Sequence, residues 1–156
     1  VTTNRVAKVK RIWWTGHIYD LQTATGLIVS QGIVTSNSTV YRTNASTGYN
    51  AGRIQQAQDP DIHEVVPALE YAALMDDRTR PWHAAAHGFI ADTYDPLWKS
   101  IKPPLGWQCR CAANFISKYE LERRGLLEKG RVIRYIPPGF ANAHPDPGFR
   151  PGALEF

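Results

Sequence analysis

The feature that most constrains this chain is a change of period at a single bond. Up to Asn37 the apolar residues alternate with polar or basic ones, as in "RVAKVKRIWW". Elsewhere they come in the short runs "HIYDL", "LIV" and "GIVT", separated by Thr, Gly and Gln. Alternation at period two marks strands. From Ser38 the stretch "STVYRTNASTGYNAGRIQQA" sets Tyr41, Ala45, Gly48, Tyr49 and Gly52 at helical spacings. Ser38 is placed to cap that helix, and two glycines four apart would let another helix approach closely. The fold class is therefore α+β: a β-rich segment of three or four short strands over residues 1–37, then a mainly helical region. So few short strands cannot bury a core alone, so the first segment needs the rest of its own fold or a partner.

Within the second region, "PALEYAALMDD" reads as a second helix and "RPWHAAAHGFIA" as a third, with Pro81 suited to its first turn. "DTYDPLWKSIKPPLGWQCRC" reads as an ordered loop with room for one short strand. "SKYELERRGLLEKG" reads as an amphipathic helix ended by Gly130, and "RVIRYI" as a strand. These elements make up residues 38–136. The Pro- and Gly-rich tail, 137–156, reads as extended or disordered.

No apolar run approaches the length that crosses a bilayer, so no membrane partner is expected. The absence of a basic-then-apolar leader gives export no support, and two cysteines, Cys109 and Cys111, make no disulfide framework. A reducing cytoplasm follows as the expected setting. Most of the chain's net charge of +4 lies in the first segment, where Arg5, Lys8, Lys10 and Arg11 face Asp20 alone. That concentration suits an acidic partner, or equally a strand edge kept from aggregating by its charges; DNA contact is a further reading of a basic patch.

The stretch "GHIYDLQTATGLIVSQGIVTSN" followed by Ser38 resembles the C-terminal end of a Hint (intein) domain. In that family a V/I-Y-D-L strand, here Ile18, Tyr19, Asp20 and Leu21, is followed by G-I-V-x-x-N, here Gly32, Ile33, Val34 and Asn37, and then by Cys, Ser or Thr. The resemblance implies protein splicing. Asn37 would cyclise onto its own carbonyl and cleave the following bond, Ser38 would be the downstream nucleophile, and Asp20 would organise that nucleophile. Ser36 stands where many members carry the His that polarises the scissile carbonyl. No upstream nucleophile or T-x-x-H block precedes residue 1, so the resemblance implies a partner: an N-terminal intein half carrying its own extein. No cofactor is required for such chemistry.

Residues 39–116 resemble the phage Mu F-like family of head morphogenesis (minor capsid) proteins, through "YRTNASTGYNAGR", "YAALMDDRTRPWHAAAHG" and "PPLGWQCRC". This implies a minor head component acting in procapsid assembly and DNA packaging. Its partners would be portal and capsid proteins, and its setting the bacterial host cytoplasm during assembly, then the procapsid or virion. Catalysis by residues 39–156 is not implied. A splicing-inactive chain acting only in head assembly is the alternative to a spliced one.

His83 and His87, four apart on the third helix, and the C-x-C pair Cys109 and Cys111 make a possible tetrahedral set for structural zinc. Helical His can also simply cap or pack against Trp82 and Trp98. The Pro103-Pro104 turn and Trp107 are expected to fold the C-x-C loop back onto that helix. Arg42, Arg53, Arg78, Arg80 and Arg110 recur near Asp76, Asp77 and Asp92. Ion pairs tying the helices to the loop are the first reading of these, an anion or nucleotide site the second.

Overall fold

The computed structural model describes residues 27–30 and 33–150. The chain divides into two compact units at the Asn37–Ser38 bond, Val1–Asn37 and Ser38–Phe156. In the first, β1 (Leu27–Ser30) and β2 (Ile33–Ser36) pair antiparallel, with Leu27 opposite Ser36 and Ser30 opposite Ile33. These are the "LIV" and "GIVT" strands; those expected before residue 27 lie outside the described residues.

The second unit is built around a sheet and is not mainly helical. β3 (Ala68–Ala72) lies between β4 (Ile90–Asp92) and β5 (Ala112–Ile116), antiparallel to both. Tyr71 pairs with Ala113 and Leu69 with Phe115 on one side; Leu69 pairs with Ala91 on the other. β3 replaces the second helix read from "PALEYAALMDD". Its Ala, Leu and Glu favour a helix, but Leu69 and Tyr71 are buried in one core and Ala68 in another, which is a period-two pattern. Pairing on both edges and burial on both faces override a propensity worth only tenths of a kcal/mol per residue.

Over the Leu69–Tyr71 face packs the larger core, which includes Phe89, Trp98, Ile101 and Leu105. Full burial of Leu69, Leu105 and Phe89 stabilises the fold by about 2 kcal/mol each. On the opposite face Ala68, Ile90 and Ile116 pack with Leu121 of α5 (Lys118–Arg123).

The long helix α1 (Asn37–Ala57) forms as expected, but it presents a different face. Thr43, Asn50 and Ala57, seven residues apart, point inward and are buried, whereas Tyr41 and Tyr49 are exposed. A methyl group placed on Gly48 or Gly52 would meet nothing within 4 Å, so among the described residues no helix approaches there. After α1, Asp59 caps a short helix that the composition did not announce, α2 (Pro60–Val65), by accepting the Asp61 N–H at 3.0 Å.

The expected third helix is cut to one turn, α3 (Pro81–Ala84). Gly88, at φ +80°, turns the chain so that the Tyr71 N–H donates to Phe89 O at 2.8 Å and Phe89 leads into β4. A further turn, α4 (Trp98–Ile101), lies within the Pro-rich loop. The amphipathic helix is also shorter than expected. α5 ends at Gly125, φ +67°, where the Leu126 N–H returns to Leu121 O at 2.7 Å in a Schellman closure. Gly130 turns a hairpin instead, with Lys129 and Gly130 both at positive φ between β6 (Leu127–Glu128) and β7 (Arg131–Val132). Tyr135 then bridges to Ile90.

Residues 137–150 fold back on the unit. A 3-10 turn, Phe140–Asn142, stacks Phe140 on Phe89 with centroids 4.8 Å apart, and His144 stacks on Trp82 at 5.4 Å.

Candidate functional site

The C-x-C pair and the one-turn helix α3 meet under the sheet. His83, Cys109 and Cys111 are all buried, and their potential ligand atoms lie within 4.8 Å of one another. His83 Nδ1 is 3.6 Å from Cys109 Sγ. The loop is pinned from α1. Thr43 Oγ1 accepts the Gln108 N–H at 3.1 Å, and Gln108 itself sits at φ +55°. The Asn50 side chain donates to Cys111 O at 3.3 Å and accepts the Ala113 N–H at 2.9 Å, so it satisfies both backbone groups that flank Ala112. Arg53 Nε adds a bond to Ala113 O at 2.8 Å.

Asp146, from the tail, completes the arrangement. Its Oδ1 accepts Trp82 Nε1 at 3.0 Å and His83 Nε2 at 3.1 Å, with Arg80 Nε at 3.3 Å. An ionised carboxylate can only accept, so Nε2 carries the imidazole proton and the Nδ1 lone pair faces the sulfurs. The tail reaches this position because Gly106 lacks a side chain: a Cβ there would lie 1.9 Å from Asp146 Oδ2. The Asp146 N–H also donates to Leu105 O at 2.7 Å.

The two thiols titrate as a pair. A hydrogen bond from Cys111 is the main influence lowering the Cys109 pKa, against the penalty of burial. The same sulfur–sulfur bond, with burial, raises Cys111. Tyr71, from β3, stands beside both sulfurs. Its hydroxyl is buried with no oxygen or nitrogen partner, and burial first, then the charge of the cysteines, pushes its pKa far up.

Of the four residues read as a zinc set, three converge and His87 does not. α3 stops at Ala84, so the i,i+4 relation of the two histidines is lost, and His87 Nδ1 accepts the Ala73 N–H at 3.2 Å. Trp107, expected to anchor the loop by burial, is 52% exposed, with its ring in a T-shaped contact with Phe149; Leu105 and Ile101 fill the core instead. Ser36 ends β2, and Asn37 and Ser38 open α1; Asp20 lies outside the described residues. Asn50, Tyr71 and Gly106 lie inside the three family motifs without having been singled out as site residues, and Asp146 lies in none of them.

Beside the cysteines is a cavity of about 520 Å³ whose lining includes Arg42, Arg78, Arg80 and Arg110 with Cys109 and Cys111. Arg110 forms a bidentate pair with Asp76 at 2.7 and 2.6 Å, and Arg80 also donates to Trp107 O at 3.1 Å. Arg53 lies over the Phe115 ring at 4.2 Å. The arginines thus tie the loop to its surroundings chiefly through one carboxylate pair, one tail carboxylate and backbone oxygens.

Residues 23–114, a span that includes His83, both cysteines, Asn50, Tyr71 and Gly106, match the family described as "Phage Mu protein F like protein". The chain belongs to the phage Mu F-like family. Among F-like relatives, the "Mu-like prophage FluMu F protein" of Haemophilus influenzae is 36% identical over 118 residues, covering 76% of this chain and 27% of that protein. The "Putative capsid assembly protein F" of Escherichia phage Mu is 33% identical over 114 residues, covering 73% of this chain and 26% of that protein. The chain therefore spans about a quarter of the length of these F proteins. No solved structure matches it. Asp146 lies beyond the matched span, so the F-like core and the tail carboxylate that engages it are separable in sequence.

Proposed function

We propose that this chain is a segment of a minor head protein that acts in capsid assembly alongside portal and capsid subunits. The observation that carries the reading is the family match through the whole sheet and cysteine loop, together with the name borne by the phage Mu relative. The match also runs without a break from residue 23 through Asn37 and Ser38. Among the described residues no helix is long and apolar enough to cross a membrane, which agrees with a role inside an assembling head. The test is to delete the segment from the phage or prophage that encodes it and supply it in trans. Head formation, scored by electron microscopy of lysates, falls on deletion and returns with the supplied chain. Normal heads without the segment contradict the reading.

A second reading, splicing at Asn37–Ser38, is favoured by one observation: the chain divides into its two compact units at that bond. It accounts less well for the family match that crosses the bond. Intact-mass analysis of wild type and Asn37→Ala separates the two. Release of residues 1–37 in wild type alone supports splicing chemistry; identical masses leave the head-assembly reading by itself.

A further inference from the structure

We propose that His83 Nδ1, Cys109 Sγ and Cys111 Sγ bind a zinc ion, with Asp146 orienting the histidine from behind, and that the ion fastens the tail and the C-x-C loop to α3. The proposal is independent of the role in head assembly.

Four features of the cluster point to this ligand. The 3.6 Å from His83 Nδ1 to Cys109 Sγ equals the edge of a tetrahedron with ordinary Zn–S and Zn–N bonds, about 3.6 Å. The tautomer is already the ligating one, since Asp146 takes the Nε2 proton and Trp82 fixes the carboxylate. A carboxylate behind a ligating imidazole is the common support of metal-bound histidine. The buried Tyr71 hydroxyl, without an oxygen or nitrogen partner, lies beside the sulfurs and can donate to a metal-bound thiolate. Finally, two buried thiolates and a neutral imidazole are a donor set that only a soft or borderline dication makes electrically neutral. Three protein ligands leave one position of the tetrahedron for water.

Zinc would bind both cysteines as thiolates, with the thiol protons they carry released to solvent. The ion would then cross-link α3, the loop before β5 and, through Asp146, the tail. His87 has no part in this: its ring nitrogens are not among the ligand atoms that converge, and its Nδ1 accepts the Ala73 N–H.

The experiment uses the full chain, Val1–Phe156. Metal content is measured as purified, and the chelator-treated protein is titrated with Co2+, then with Zn2+. One metal per chain is expected, with thiolate-to-cobalt charge-transfer absorption and the visible bands of a tetrahedral site, both removed by Zn2+. Asp146→Asn should weaken binding about 10- to 100-fold, as loss of the carboxylate that orients a ligating histidine does. His87→Ala should leave the affinity unchanged. Cys109→Ser and Cys111→Ser should each reduce the charge-transfer band; if these variants fail to fold, the wild-type spectrum and the Asp146 and His87 variants still decide. The proposal is overturned if the wild type takes up neither ion in excess, or if His87→Ala loses binding as Asp146→Asn does.

Discussion

Asp146 and His83, 63 residues apart, share a 3.1 Å hydrogen bond in which a carboxylate from a Pro- and Gly-rich tail fixes the tautomer of a buried imidazole. The contact makes the tail part of the fold, since the same carboxylate oxygen serves Trp82 and Arg80 and the tail also supplies the Phe140 ring stacked on Phe89.

Ending the chain at Ile136 should therefore destabilise it. Loss of the Phe140 stack and of the carboxylate that satisfies three donors should cost about 3 kcal/mol. A urea midpoint shifted down at similar m-value is the expected result; an unchanged midpoint means the tail contributes nothing.

Gly106 and Gly88 should respond differently to alanine. At Gly106 the new methyl would overlap the Asp146 carboxylate, which cannot yield without releasing Trp82 and His83, so a cost of about 2 kcal/mol is expected. At Gly88 the space is open and only the positive φ is penalised, about 1 kcal/mol. Thermal unfolding of both variants should rank them in that order, and Asp146→Asn should not add to the Gly106→Ala loss.

Asn50→Ala should remove about 3 kcal/mol, because it leaves both Cys111 O and the Ala113 N–H buried without a partner. Asn50→Asp should do no better, since it keeps an acceptor for Ala113 but loses the donor to Cys111. Chemical denaturation of the two variants checks this; near-wild-type stability of Asn50→Ala would show that α1 docks by apolar contact instead.

The fate of α1 explains what a reader of the sequence can and cannot extract. Its length was legible, but its inward stripe of Thr43, Asn50 and Ala57 is mostly polar, and hydropathy pointed to the exposed tyrosines. "ALEYA" carried helix-forming residues, and only the strands on either side of it made it β3. The cysteine pair and His83 could be named from residue type alone. Separating His83 from His87 required knowing that the helix stops at Ala84, a consequence of Gly88 and of Phe89 pairing with Tyr71. Asp146 had no local signal, because its partners are 40 or more residues upstream. The seam at Asn37–Ser38 reads in the sequence as the end of an intein fragment; the chain divides into its two units there, and the family match runs through it.

Glu120 gives the acid limb of stability a specific source. Its carboxyl accepts Arg123 and Arg124, hydrogen bonds that pull its pKa from 4.5 down to about 2, and Arg124 also reaches Glu70 on β3. The folded group is more acidic than the unfolded one, so its contribution is complete above 4.5 and declines as the pH falls toward 2. The melting temperature of Glu120→Gln should therefore fall less than that of wild type between about pH 7 and about pH 3. Parallel curves would place the acid sensitivity elsewhere.

The role in head assembly is tested most directly by mass spectrometry of procapsids and mature heads purified from the phage that encodes the chain. Peptides from residues 38–150 should be found in procapsids, at a fixed ratio far below that of the major capsid protein. Their absence from both particles would contradict the account.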